Sequence, residues 1–284
     1  MDRSLEQHVD KMRRMSDAWV AFNGNERGLK EPLGDKTVEC EKHGPYQSAG
    51  VRYMGTREVW TRCPACEEQK LADDRQAQAQ KQAEMERKRM EYLIGEAAIP
   101  PRFIGRTLDS FKATTDAQRA AHAVAVEFAQ NFEQHAKRGS GLILSGLPGT
   151  GKSHLAIAIL QALLPEICGR YTTCMGVIRS VRNTWRKDSE HSETQILRAY
   201  ADVPLLVLDE IGAQYGTDGE QTILFDVLDM RYREMQPTIF LTNQNQKGLA
   251  EFVGERTFDR MRETCKWVAF DWPSYRPQAR KEAA

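Results

Sequence analysis

The sequence is short of several things, and each shortage excludes a class of protein. Lys plus Arg total 40 and so do Asp plus Glu, so the 284-residue chain has no net charge. Global charge therefore gives no attraction to nucleic acid, and any such affinity must come from a local patch. No apolar run approaches the about 18 residues of a membrane-spanning helix, and mean hydropathy is −0.60. The opening stretch, MDRSLEQHVDKMRRM, lacks the apolar segment of a secretory leader. No internal repeat is visible. A cytoplasmic protein with no membrane partner is expected.

What is present is unevenly distributed. Residues 1–35 begin with a polar segment whose Leu5, Val9, Met12 and Trp19 fall roughly on one helical face, then pass into a Gly- and Pro-punctuated loop. Residues 36–66 carry strand-like pieces between turn signals. Residues 67–98 form a helical linker, rich to residue 96 in Glu, Lys, Arg, Gln and Ala with almost no β-branched residue. Pro100–Pro101 breaks the chain. Residues 99–284 make the largest domain. In it, apolar runs at 141–146, 170–175, 204–210, 238–243 and 266–272 alternate with helical patterns. That alternation predicts an α/β fold with a parallel sheet sandwiched by helices.

Six cysteines are too few and too unevenly placed for a disulfide framework. Cys40 and His43 form one ligand pair and Cys63 and Cys66 another, with 44–62 between them. Three thiolates and an imidazole make a closed tetrahedral zinc site, structural because no position is left open. A histidine in one pair disfavours an iron–sulfur cluster. His8, His122, His135 and His191 show no ligand spacing, nor does His154.

Residues 146–153 read GLPGTGKS, with an apolar run before them and HLAIAILQALL after. This strand–loop–helix setting is what a phosphate-binding loop requires. The backbone of Gly146, Leu147, Pro148, Gly149, Thr150 and Gly151, with the helix start at Lys152, Ser153 and His154, is expected to cradle the phosphates of ATP. Lys152 reaches the β- and γ-phosphates and the Ser153 hydroxyl coordinates Mg²⁺. The run PLLVLDE ends in Asp209, a second Mg²⁺ holder acting mostly through water, and Glu210, which would orient and polarise the attacking water. Asn243, ending TIFLTN, can hold that water or sense the γ-phosphate. In GERTFDRMR, Arg256 and Arg260 share a helix face. They suit either a γ-phosphate contact across a subunit boundary or surface pairing with Glu255, Asp259 or Glu263.

In this order the motifs resemble the DnaC/DnaI/IstB group of AAA+ proteins, the bacterial and phage replicative-helicase loaders. The resemblance rests on AIPPRFIGRTLDSF (98–111), GLPGTGKSHLA, LLVLDEIG, the LTN strand end, GERTFDRMR and FDWPSYR (270–276), and is nearest to the DnaC type. It implies an AAA+ ATPase that places a hexameric DnaB-type helicase on single-stranded DNA, with hydrolysis timing release and with self-association through the ATP sites. Arg260 matches the arginine finger, with Arg256 the neighbouring candidate, and Arg276 matches the sensor 2 arginine. The family's DNA-gripping insertion corresponds to 176–191, where Arg179, Arg182 and Arg186 have helical spacing. Trp185 and Lys187 lie alongside, a combination suited to single strands. DnaC-type loaders commonly lack the zinc pairs, so residues 1–95, which would grip the helicase, depart from the pattern. The alternatives are an IstB-like transposition accessory ATPase, a helicase-sequestering binding module and, more remotely, a small-molecule P-loop kinase.

Overall fold

A computed structural model of the chain describes residues 30–53, 56–212 and 218–277. The expected N-terminal helix lies outside them. The chain divides into two compact units, one up to Glu84 and one from Met85.

The first unit holds a three-stranded antiparallel sheet. Strand β1 (Lys30–Cys40) turns through 41–43 into β2 (Gly44–Tyr53), which pairs with β3 (Arg57–Trp60). The loop expected through residue 35 is therefore strand from Lys30 onward. An edge strand tolerates Pro32 and Gly34 because the register shifts between them. Helix α1 (Pro64–Glu96) follows. It begins earlier than residue 67 because proline suits the first helical turn, where its missing N–H is not needed. Among the described residues of this unit only Ser48, Gly50 and Cys63 are buried. Apolar burial among the described residues is too small to hold the sheet by itself.

The second unit is built on a five-stranded parallel sheet in the order β5-β6-β7-β4-β8. The strands are β4 (Gly141–Gly146), β5 (Gly169–Thr173), β6 (Leu205–Ile211), β7 (Thr238–Thr242) and β8 (Cys265–Phe270). Their side chains alternate between two cores, as the two-residue strand period demands. Leu142, Leu144, Leu205, Val207, Ile239 and Leu241 enter one core, with Ala125 and Phe128 of α2 (Asp116–Gln130), Phe132 of α3 (Phe132–Arg138) and Leu155 and Ile159 of α4 (Lys152–Leu163). Ile143, Leu206, Leu208 and Phe240 enter the other. There they meet α5 (Cys174–Asn183), α6 (Glu193–Ala201), α7 (Asp218–Arg233), α8 (Gln246–Val253) and α9 (Glu255–Thr264). Being covered on both sides, the strands read as continuous apolar runs.

The helix expected across 176–191 is shorter. α5 ends at Asn183, with Thr184 as its cap, and a turn follows. Arg179 and Arg182 share the helix, but Arg186 lies beyond it, so the i, i+7 register does not apply to Arg186.

Candidate nucleotide site and metal cluster

Strand β4 delivers the chain to the loop 146–151, and α4 starts at Lys152. Gly146 (φ 151°) and Gly149 (φ 81°) are places where only glycine fits. A Cβ on Gly146 would strike the Phe270 carbonyl, and one on Gly149 the Ser274 hydroxyl. The loop is thus shaped by the 270–276 segment as well as by its own turns. The Trp272 indole N–H donates to the Thr150 carbonyl at 2.9 Å, and the Tyr275 amide donates to the Gly149 carbonyl at 2.9 Å. Thr150 Oγ1 closes the loop on the Leu147 carbonyl at 2.8 Å, leaving the Leu147 side chain exposed.

Lys152 is 8% exposed, and its Nζ donates to the carbonyls of Gly146 (2.6 Å) and Leu147 (2.8 Å). Burial lowers its pKa to about 8; Asp209 opposes this and Arg276 reinforces it. Ser153 Oγ donates to Asp209 Oδ2 at 3.0 Å. The other oxygen, Oδ1, accepts the Glu210 amide at 2.7 Å. Glu210 takes a left-handed φ of 61°, and the pairing of β6 with β7 shifts register between Leu208 and Ile211. A carboxylate residue held in this strained region points to a functional constraint. Asn243 follows the last residue of β7. Its neighbours fix the strand end: Thr242 Oγ1 donates to the Ile211 carbonyl (2.7 Å) and Gln244 Nε2 to the Gly212 carbonyl (2.9 Å).

Pro148–His154, Asp209, Glu210, Asn243 and Arg276 line one cleft of ≈ 760 Å³. Its cationic loop, amide-rich helix start and adjoining carboxylates have the chemistry of a triphosphate site. Hydroxyl and carboxylate oxygens meeting at Ser153 and Asp209 are hard donors suited to Mg²⁺ carried by a nucleotide. Residues beyond the motifs complete the lining: Arg102, Phe103, Arg106 and Phe111 from the lead-in, and Trp272 and Tyr275 from the tail. No short pattern marks these individually. They reach the loop through long-range packing, and His154 shows how. Its Nε2 donates to the Thr107 carbonyl at 3.0 Å and lies 3.1 Å from Ser110 Oγ, with Phe111 edge-on at 5.5 Å. His154 therefore pins the lead-in as well as lining the cleft, and burial lowers its pKa.

Arg256 and Arg260 stand elsewhere. Arg260 pairs with Asp229 of α7 and lies 4.8 Å over the Tyr232 ring, while Arg256 lies 5.8 Å from the Phe225 ring. The Arg260 partner is thus Asp229 rather than a neighbour on its own helix, and the Tyr232 hydroxyl binds Glu263 at 2.8 Å. Neither arginine lines the cleft of its own chain. In the 176–191 segment, Arg182 pairs with Glu220 (2.9 Å) and Arg186 approaches Asp188 (3.6 Å). Trp185 is 61% exposed with its indole N–H on Glu193 Oε2 at 2.7 Å. Arg179 and Lys187 are exposed.

In the first unit, Cys40 at the end of β1 and His43 in the turn after it meet Cys63, just before α1, and Cys66 in its first turn. Their ligand atoms all lie within 4.8 Å of one another. His43 Nδ1 is 3.7, 3.6 and 3.3 Å from the sulfurs of Cys40, Cys63 and Cys66, and Cys40 and Cys66 sulfurs are 3.5 Å apart. These separations suit a tetrahedron with metal–sulfur bonds of about 2.3 Å. The backbone amides of Lys42 and His43 lower the Cys40 thiol to about 6.

The sequence pattern of the family described as IstB-like ATP binding protein matches residues 75–283. The replicative helicase loader DnaC of Escherichia coli strain K12 is 33% identical over 217 residues, covering 74% of this chain and 86% of its own. The DnaC of Buchnera aphidicola from Acyrthosiphon pisum is 31% identical over 192 residues, covering 66% and 76%. A crystal structure of a DnaC helicase loader superposes with a TM-score of 0.55 at 25% identity, over 60% of this chain and 99% of that one. A DnaI structure (TM-score 0.52, 23% identity, 60% and 94% coverage) shares the fold. The chain belongs to the IstB-like ATP-binding family and is an AAA+ P-loop ATPase.

Proposed function

We propose that this ATPase loads a replicative, DnaB-type hexameric helicase onto single-stranded DNA, and that ATP hydrolysis times its release. The observation that carries the reading is the single cleft joining Lys152, Ser153, Asp209, Glu210, Asn243 and Arg276 in a chain one-third identical to named helicase loaders. Lys152 and the loop amides hold the phosphates, Ser153 and Asp209 hold Mg²⁺, and Glu210 and Asn243 orient water. Arg276 contacts the γ-phosphate from within the chain. Bound Mg²⁺ would neutralise charge on the phosphates as the bond to the γ-phosphate breaks. Arg260, with Arg256 beside it, serves the cleft of a neighbouring subunit, in keeping with its distance from its own. Arg179, Arg182, Trp185, Arg186 and Lys187 contact the strand, Arg182 by exchanging Glu220 for phosphate. Zinc at Cys40, His43, Cys63 and Cys66 holds together residues 36–66, which with 1–35 and the helical linker 67–98 meet the helicase. Residues 99–284 form the ATPase domain.

The test combines co-elution with a hexameric replicative helicase and ATP turnover, with and without single-stranded DNA. Co-elution with DNA-responsive turnover is expected; Lys152→Ala removes turnover, and Glu210→Gln retains ATP while releasing no helicase. Failure to co-elute in any nucleotide state, with turnover stimulated by duplex DNA, would sink the loader reading and favour an IstB-like transposition-accessory role. Helicase release and activity both unchanged by Glu210→Gln would instead favour simple sequestration.

A further inference from the structure

Tyr171 belongs to none of the motifs, yet its hydroxyl donates to Asp209 Oδ2 at 2.8 Å. That oxygen is the one the Ser153 hydroxyl also reaches, at 3.0 Å, while Oδ1 is occupied by the Glu210 amide. The carboxylate is therefore held at both oxygens, and among the described residues Tyr171 supplies the donor that comes from outside the phosphate loop and β6. The tyrosine is itself firmly set. Its amide donates to the Ala97 carbonyl at 2.8 Å, its ring packs on the first core, and β5 is in register with β6 so that Tyr171 lies opposite Val207 and Thr173 opposite Asp209.

We propose that Tyr171 is a positioning residue for magnesium, its hydroxyl fixing the rotation of the Asp209 carboxylate so that Oδ2 stays directed at Ser153. This rests on the Mg²⁺·ATP reading of the cleft. A carboxylate freed of this bond would have to be reoriented each time the cation arrives, which weakens cation affinity while leaving the phosphate contacts of Lys152 and the loop intact. A phenol that merely satisfied a buried polar group would give stability and nothing else.

The experiment is an equilibrium titration of the full chain with a fluorescent ATP analogue, first in EDTA and then with increasing MgCl₂. Wild type is set beside Tyr171→Phe, which keeps the packed ring. Tyr200→Phe serves as control, because it removes a comparable hydroxyl contact, 3.0 Å from Ser180, at a distance from Asp209. The magnesium midpoint should rise about tenfold in Tyr171→Phe, as when an outer partner of a metal ligand is removed. Affinity in EDTA should stay unchanged, and Tyr200→Phe should alter melting temperature but not the midpoint. Adding Tyr171→Phe to Asp209→Asn should shift the midpoint no further, since the tyrosine acts through Asp209. A wild-type midpoint in Tyr171→Phe, whatever its melting temperature, overturns the inference. Absence of nucleotide binding by the wild type would overturn the reading of the cleft, and this inference with it.

Discussion

Lys152 loses most of its hydration in the cleft, and its proton is correspondingly loose. Its folded pKa of about 8 lies below the ordinary 10.5. Between those values the unfolded chain binds more protons than the folded one, so this lysine's contribution to stability rises with pH across the window. Triphosphate would restore the proton. ATP binding should therefore take up protons above pH 8 and weaken as pH rises toward 10, and calorimetry in two buffers of different ionisation enthalpy measures the uptake; none in Lys152→Met would confirm its source. Arg231 is the opposite case, a buried charge with every contact made internally. It is 1% exposed and donates to the carbonyls of Tyr200, Ala201, Val203 and Pro237 and to Thr238 Oγ1. Arg231→Ala should cost on the order of 3 kcal/mol in denaturant unfolding by stranding these acceptors. Nothing about Arg231 is legible in the sequence, where it is one of two arginines in the last turn of a charged helix. The phosphate-loop lysine is legible because its motif must be contiguous to curl round a phosphate.

At the scale of elements, the strands of the ATPase unit were readable because burial on both faces leaves them continuously apolar, and their boundaries fall within a residue or two of the expected ones. Strand β1 was not, because a solvent-facing edge strand carries polar residues, proline and glycine without penalty. The end of α5 at Asn183 was missed for a related reason: basic residues continue past it, and only the capping geometry marks the stop. The tail segment FDWPSYR was recognisable as a motif, but its grip on the phosphate loop was not. Replacing Trp272 with Phe removes the bond to the Thr150 carbonyl while keeping an aromatic ring in place. We expect weaker nucleotide binding by about fivefold to tenfold, corresponding to about 1 kcal/mol for one hydrogen bond. Fluorescent-nucleotide titration measures it, and unchanged affinity would mean the loop holds its shape unaided.

At the scale of the whole molecule, the two compact units differ in what stabilises them. The second buries two extensive cores; the first, among its described residues, buries almost nothing and has four clustered ligands. Removing metal with a chelator, or substituting Cys63→Ser, should abolish protection of the first unit in hydrogen exchange while ATP binding by the second persists. Metal analysis of the purified protein should find one zinc per chain, and a metal-free protein with an intact first unit would contradict the assignment. Helicase co-elution should disappear with the zinc if that unit makes the contact.

The clasp of Trp272 and Tyr275 on the phosphate loop also sets a timetable for biosynthesis. The loop leaves the ribosome more than a hundred residues before the indole that holds its Thr150 carbonyl, the two being 122 positions apart. A nascent chain stalled between them would carry a complete GLPGTGKS sequence on an unfinished support, so competence to bind ATP should arrive late in synthesis rather than with the motif.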